Sequence, residues 1–290
     1  MNGLQFSEDA TWKDKVFVVM QYLLPQHWLS RLVGFLAENK TPWLKNFLIE
    51  QFIRRFGVNM NEAAESDYKR YQNFNHFFTR ALASGVRPIC TEGVCCPADG
   101  QVSQAGDIKH GRIFQAKGHS FSTAELLGGD EQLAALFDEG LFATVYLSPR
   151  DYHRVHMPVA GRLLRSMYIP GDLFSVNTTT AENVPNLFAR NERLVAVFET
   201  EVGEMVVVLV GAMIVAGIET VWSGQVAPRV RKIEVQDFVN APEPVYLKKG
   251  DEMGRFKLGS TAIVLFRKSS NLKWGIEAGE AVKMGQEFAD

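Results

Sequence analysis

Apolar positions along the chain follow two different periods. Up to about residue 85 they recur at helical spacing. The run Val16-Phe-Val-Val-Met20 opens one apolar helix, which Pro25 ends. Trp28, Leu29, Leu32, Val33, Phe35 and Leu36 make a second apolar face. Pro42 suits the first turn of a third helix, whose Trp43, Leu44, Phe47, Leu48, Phe52 and Ile53 lie on one side. A fourth helix is predicted over 71–82. After about residue 93 the pattern shortens. The β-branched and aromatic runs 142–147, 194–198, 205–210, 213–215 and 262–266, punctuated by Gly and Pro, predict strands. Only 122–137 predicts a helix in this part. The fold class is therefore α+β: N-terminal amphipathic helices packed on or beside a largely antiparallel β body.

Composition narrows the classes of function. The chain has 290 residues, 46% hydrophobic and 22% charged, with a formal net charge of -2. That is a globular composition without the basic excess of a nucleic-acid binder. No apolar run approaches the length of a membrane span. Cys90, Cys95 and Cys96 are odd in number and two are adjacent, so neither a disulfide framework nor structural zinc is expected, and a reducing compartment fits. Three of the five tryptophans, Trp12, Trp28 and Trp43, lie on the predicted helices, and residues 1–60 carry a net charge of +2. Such helices can lie in a membrane interface, although they more often cover a core.

Three polar spots carry candidate chemistry. Gly259-Ser260 precedes the apolar run 262–266. A serine hydroxyl there can attack the carbonyl of the preceding glycine, which has no side chain to crowd it. A turn serine is the plainer reading of the same residues. Asp99 sits in Pro97-Ala-Asp-Gly100, where a turn aspartate commonly bonds its own backbone. His153 and His156 lie three apart in Asp151-Tyr-His-Arg-Val-His156, and no third residue at ligand spacing accompanies them, so no metal is expected. Distant Asp, His and Ser can meet as orienting acid, base and nucleophile. No G-x-S-x-G elbow, Walker A loop or G-x-G-x-x-G is present.

Taken in order, a set of segments resembles the bacterial, membrane-associated, pyruvoyl-dependent phosphatidylserine decarboxylases. They are Phe74-Asn-His-Phe-Phe78, Pro97-Ala-Asp-Gly100, Gln115-Ala-Lys-Gly-His119, the stretch 147–158, Pro170-Gly-Asp-Leu-Phe-Ser-Val-Asn177, the stretch 183–193, Ile218-Glu-Thr-Val-Trp222 and Gly254-Arg-Phe-Lys-Leu-Gly-Ser-Thr261. The resemblance implies self-cleavage between Gly259 and Ser260, with Ser260 becoming a covalent pyruvoyl cofactor. It implies Asp99 and His156 as acid and base of that cleavage, Asp99 orienting the imidazole, and His153 in the decarboxylation. It implies a small chain 260–290 bound to a large chain 1–259, and a homodimer of the cleaved unit is compatible with it. Phosphatidylserine in the membrane is the implied partner, and the implied location is peripheral, on the cytoplasmic face of the cell membrane. Residues 1–85 would then be a helical membrane-associating segment and 86–290 the β-rich catalytic domain. Many members carry a histidine where this chain has Thr178. Alternatives from the residues alone are a serine hydrolase using Asp99, His156 and Ser260 uncleaved, a pyruvoyl decarboxylase of a soluble amino acid, and a catalytically silent β domain.

Overall fold

A computed structural model describes residues 6–7, 9–213, 217–227, 232–257 and 260–290. Three helices come first: α1 (Trp12–Leu23), α2 (Gln26–Ala37) and α3 (Pro42–Phe56). Thr11 caps α1 in a reciprocal pair with Asp14, and Pro25 separates α1 from α2. Pro42 occupies the first turn of α3, and Gly57, at φ 67°, closes it in the left-handed region that glycine adopts without strain. The fourth predicted helix is shorter than its apolar run. Asn73 caps a single stretch, α4 (Phe74–Phe78), and the chain turns out of it at Thr79. The helix expected over 122–137 is broken at Gly128 and Gly129, both at positive φ, into Thr123–Leu126 and Glu131–Ala135.

The rest is a β body whose named strands pair antiparallel. The larger sheet runs in the order Glu234–Asp237, Gly161–Ile169, Arg193–Thr200, Gly203–Gly211, Ser260–Phe266, Leu141–Leu147, Gly100–Asp107, Ala281–Val282, with Tyr246–Leu247 also on Gly161–Ile169. A four-stranded sheet orders Gly224–Ala227, Gly217–Thr220, Glu252–Lys257 and Arg154–His156. Several of these strands, and the helices Thr178–Asn183 and Leu187–Arg190, are too short or too polar to stand out in the sequence. Of the strand expected over 213–215, Met213 lies in a turn and the other two residues fall outside the described ones.

Ser260–Phe266 lies at the centre of the large sheet, paired along its length with Gly203–Gly211 on one side and Leu141–Leu147 on the other. All seven of its residues are fully buried. Ala262, Val264 and Phe266 enter the core between the two sheets, with Val155, Met253 and Phe256 opposite. Ile263 and Leu265 face a second core under the short helices. Burial on both faces explains why the run is continuously apolar rather than alternating.

The three N-terminal helices do the reverse. The buried residues of α1 are Val18 and Gln21, those of α2 are Gln26, Ser30 and Ala37, and those of α3 are Lys45 and Ile49. The seat on the β body is mostly polar: Gln21 Oε1 accepts from Ser175 N at 2.7 Å, and Gln26 Oε1 from Leu173 N at 2.7 Å. Ile49, Leu48 and Phe52 pack with α4, but many other large apolar side chains point outward. Trp12, Leu23, Phe35 and Trp43 are each about 70–74% exposed, and Trp28 is 64% exposed. Among the described residues no helix is long and apolar enough to cross a membrane.

The cysteine expectation needs correction. Cys90 and Cys95 form a disulfide, because the turn between them brings their Cα atoms to 5.9 Å; Cys96 is free and buried. This is one local bridge rather than a framework.

Candidate active site

Ser260 begins the central strand just after the chain leaves the smaller sheet at Lys257. Leu258 and Gly259, and so the carbonyl side of the expected scissile bond, lie outside the described residues. Ser260 faces Leu147 and Gly211 across its two ladders. Its Oγ is buried and has no hydrogen-bond partner among the described residues, and neither has Thr261 Oγ1 beside it. An unpaired buried hydroxyl costs about 1–3 kcal/mol. Conversion of Ser260 to a ketone would cost its side chain no hydrogen bond among the described residues, so the side-chain position suits a pyruvoyl group.

His153 precedes the strand Arg154–His156, is fully buried, and packs on the Phe78 ring at a centroid distance of 4.0 Å. Its Nδ1 lies 2.9 Å from the Asp151 carbonyl. A carbonyl only accepts, so Nδ1 carries the proton and Nε2 a lone pair. That Nε2 is buried and has no partner among the described residues. Burial drives the imidazole down to about 3, so it is neutral. His156 repeats the arrangement: Nδ1–H donates to the Gly250 carbonyl at 2.8 Å, and Nε2 accepts from the Tyr152 hydroxyl at 2.9 Å. Burial lowers its pKa also, and burial holds the Tyr152 phenol protonated.

Asp99, likewise buried, accepts from Arg87 Nε at 3.0 Å, Lys283 Nζ at 3.3 Å and Met284 N at 2.9 Å. Burial alone would raise its pKa. The Arg87 hydrogen bonds, the Met284 N–H and the charges of Lys283 and Arg87 outweigh it and keep the carboxylate below its ordinary value. The expected contact is corrected here: Asp99 does not orient the His156 imidazole by a hydrogen bond. Its acceptors face Arg87, Lys283 and Met284, and the Gly250 carbonyl fixes the ring instead. The negative charge of Asp99 still favours the protonated form of both histidines.

An apolar groove of about 510 Å³ runs between α2, α3 and α4, lined by Val33, Leu36, Leu48, Phe52, Phe74 and Phe78. It also touches Pro149 and Met213, each two residues beyond a strand partner of Ser260. Phe78 is thus shared between the groove and His153. Among the described residues no group of three or more His, Cys, Asp or Glu is placed to hold a metal.

A family model described as phosphatidylserine decarboxylase matches residues 74–290, and a second, described as PSD, matches residues 16–57. The chain belongs to the phosphatidylserine decarboxylase family. It is similar to the phosphatidylserine decarboxylase proenzyme of Pseudomonas paraeruginosa, 60% identical over 283 residues, covering 96% of this chain and 98% of that one. The proenzyme of the same name from a Pseudomonas putida strain is 59% identical over 282 residues, with 96% and 98% covered. As a member of the decarboxylase family the chain is an enzyme of the carboxy-lyase class.

The sequence did not point to Tyr152, Arg87, Lys283 or Gly250. Tyr152 had a faint signal, four residues before His156 in the same polar cluster. Arg87 and Lys283 reach Asp99 from positions 12 and 184 residues away in the chain, a closeness that only the fold creates.

Proposed function

We propose that the chain converts phosphatidylserine to phosphatidylethanolamine with a pyruvoyl group made from Ser260 by self-cleavage at Gly259-Ser260. The observation that carries this reading is the fully buried Ser260 hydroxyl, without a partner among the described residues, at the head of a fully buried central strand. Burial of Ile263, Val264, Leu265 and Phe266 stabilises the seated strand by on the order of 6–12 kcal/mol, at about 1.5–3 per side chain.

In maturation, His156 Nε2 exchanges the Tyr152 hydroxyl for that of Ser260 and takes its proton. The Ser260 oxygen attacks the Gly259 carbonyl, the imidazolium returns its proton to the leaving Ser260 nitrogen as the peptide C–N bond breaks, and an ester forms. Asp99 stabilises the transient imidazolium through space. Loss of the Ser260 α-proton expels the Gly259 carboxylate, and hydration with loss of ammonia leaves the ketone. That ketone supplies an electrophile for the substrate amine and a sink for the electrons that CO₂ leaves behind. His153, neutral with a bare Nε2, takes a proton from the incoming ammonium and returns one to the carbon that has lost CO₂.

The helices bring this site to its substrate. Residues 1–85 form the membrane-associating segment, lying on the cytoplasmic face with Trp12, Trp28, Phe35 and Trp43 in the interface. The apolar groove receives an acyl chain. Residues 86–290 form the catalytic unit, and Lys283 and Met284 of the small chain remain on Asp99 after cleavage.

The test is Ser260→Ala, expressed as the full chain and assayed on vesicles containing phosphatidylserine. A single uncleaved chain with activity down by more than about 10⁴-fold is expected. Retained decarboxylation would overturn the reading.

A further inference from the structure

We propose that Arg80 is a positioning residue: it fixes the Asp151 carbonyl and, through it, which nitrogen of His153 carries the proton. The inference rests on the reading of His153 as the proton-transferring base.

Arg80 lies just past α4 and is only 4% exposed. Its Nη2 donates to the carbonyls of Arg150 at 3.1 Å and Asp151 at 3.3 Å. The same Asp151 carbonyl receives the His153 Nδ1–H at 2.9 Å. A carbonyl oxygen has two lone pairs, and here one faces a guanidinium and the other an imidazole. The Asp151 carboxylate is turned away, accepting from Ser148 N at 2.8 Å and Ser148 Oγ at 2.7 Å. Together these contacts hold the 148–151 turn from both sides.

Stability alone does not account for this arginine. Among the described residues no carboxylate forms an ion pair with it, and its Nε and Nη1 are buried without partners. Burial lowers its pKa; the charges of Asp99, Asp151 and Glu62, none in contact with it, and the Phe77 ring, 5.5 Å from the guanidinium carbon, compensate only in part. A buried cation with no carboxylate in contact is costly. What it gains is a fixed carbonyl.

The chemical consequence is specific. Which imidazole nitrogen is protonated follows the hydrogen bond that the other nitrogen makes. With the Asp151 carbonyl in place, Nδ1 holds the proton and Nε2 stays free to accept one. With the turn released, the proton can move to Nε2 and the base is lost. His156 is held separately, by Gly250 and Tyr152. Arg80 therefore acts on decarboxylation and not on self-cleavage.

The test uses the full, self-cleaved enzyme labelled with ¹⁵N-histidine, as wild type, Arg80→Gln and Arg80→Lys. His153→Gln assigns the His153 resonances. The wild-type His153 Nε2 should resonate as an unprotonated nitrogen. Arg80→Gln should move it toward the protonated position, and Arg80→Lys, which keeps a cation and a donor, should move it less. Where Arg80→Gln does not fold, Arg80→Lys alone must show the shift. In the same variants kcat for decarboxylation should fall about ten- to hundredfold, with KM and the self-cleavage rate within about threefold of wild type. An unchanged His153 tautomer in a folded variant would overturn the inference. A changed tautomer with full kcat would instead remove His153 from the reaction, which is the failure of the reading beneath it.

Discussion

The N-terminal helices and the β body use apolar residues in opposite ways. In the β body they point inward: every residue of Ser260–Phe266 is fully buried, with cores on both faces. In α1 and α2 the seat is made largely by Gln21, Gln26 and Ser30, while tryptophans and phenylalanines face out. The same hydropathy serves cohesion in one region and, in the function proposed above, adhesion in the other. An amphipathic pattern therefore says that a face will be covered, and the fold says by what. Here the helices leave that face open beside a groove that reaches Pro149 and Met213, each two residues beyond a strand partner of Ser260.

The sharpest break between the regions is expected from Phe266→Ala. Deleting that side chain from the core should cost about 3–5 kcal/mol in denaturant unfolding and leave vesicle binding unchanged. Next comes Gln26→Ala, which removes the acceptor of the buried Leu173 N–H. A loss of about 1–3 kcal/mol is expected, with faster proteolysis between α1 and α2. Trp12→Ala, Trp28→Ala and Trp43→Ala should behave oppositely. Each should weaken partition onto vesicles by about tenfold, while the unfolding free energy stays within about 0.5 kcal/mol. A loss of stability as large as that of Phe266→Ala would show that these residues are core after all.

The gentlest test uses pH. The folded state holds His153 neutral down to about 3, whereas the unfolded imidazole titrates near 6.5. Between those values the unfolded chain binds more protons, so stability is full above 6.5 and declines as pH falls toward 3. The slope from this residue is at most about 1.4 kcal/mol per pH unit. His153→Gln should flatten it.

Much of this was legible in the sequence. The first three helices followed from periodicity, because each is long enough to show its repeat; the central strand followed from its continuous apolar run, and the α+β class from the two together. Thr178–Asn183 and Leu187–Arg190 were not legible, since a helix of one or two turns shows no period, and the break at Gly128 and Gly129 in the helix expected over 122–137 was missed. At the site, Ser260, His153, His156 and Asp99 could be named from chemistry and resemblance. Their partners could not. Gly250 sits on His156 and Lys283 on Asp99 because the sheets bring distant turns together, and local spacing carries no trace of that. The Cys90–Cys95 bridge escaped for a related reason: a count of cysteines does not reveal a turn that closes on itself.

The central claim is that Ser260 is the precursor of the catalyst rather than the catalyst. Intact-mass measurement of the active, purified protein tests it most directly. Two chains are expected, 1–259 and 260–290. The smaller should be lighter by one ammonia than a serine-headed fragment and should gain mass on reaction with a hydrazine. A single unmodified chain of 290 residues in fully active protein would contradict the account.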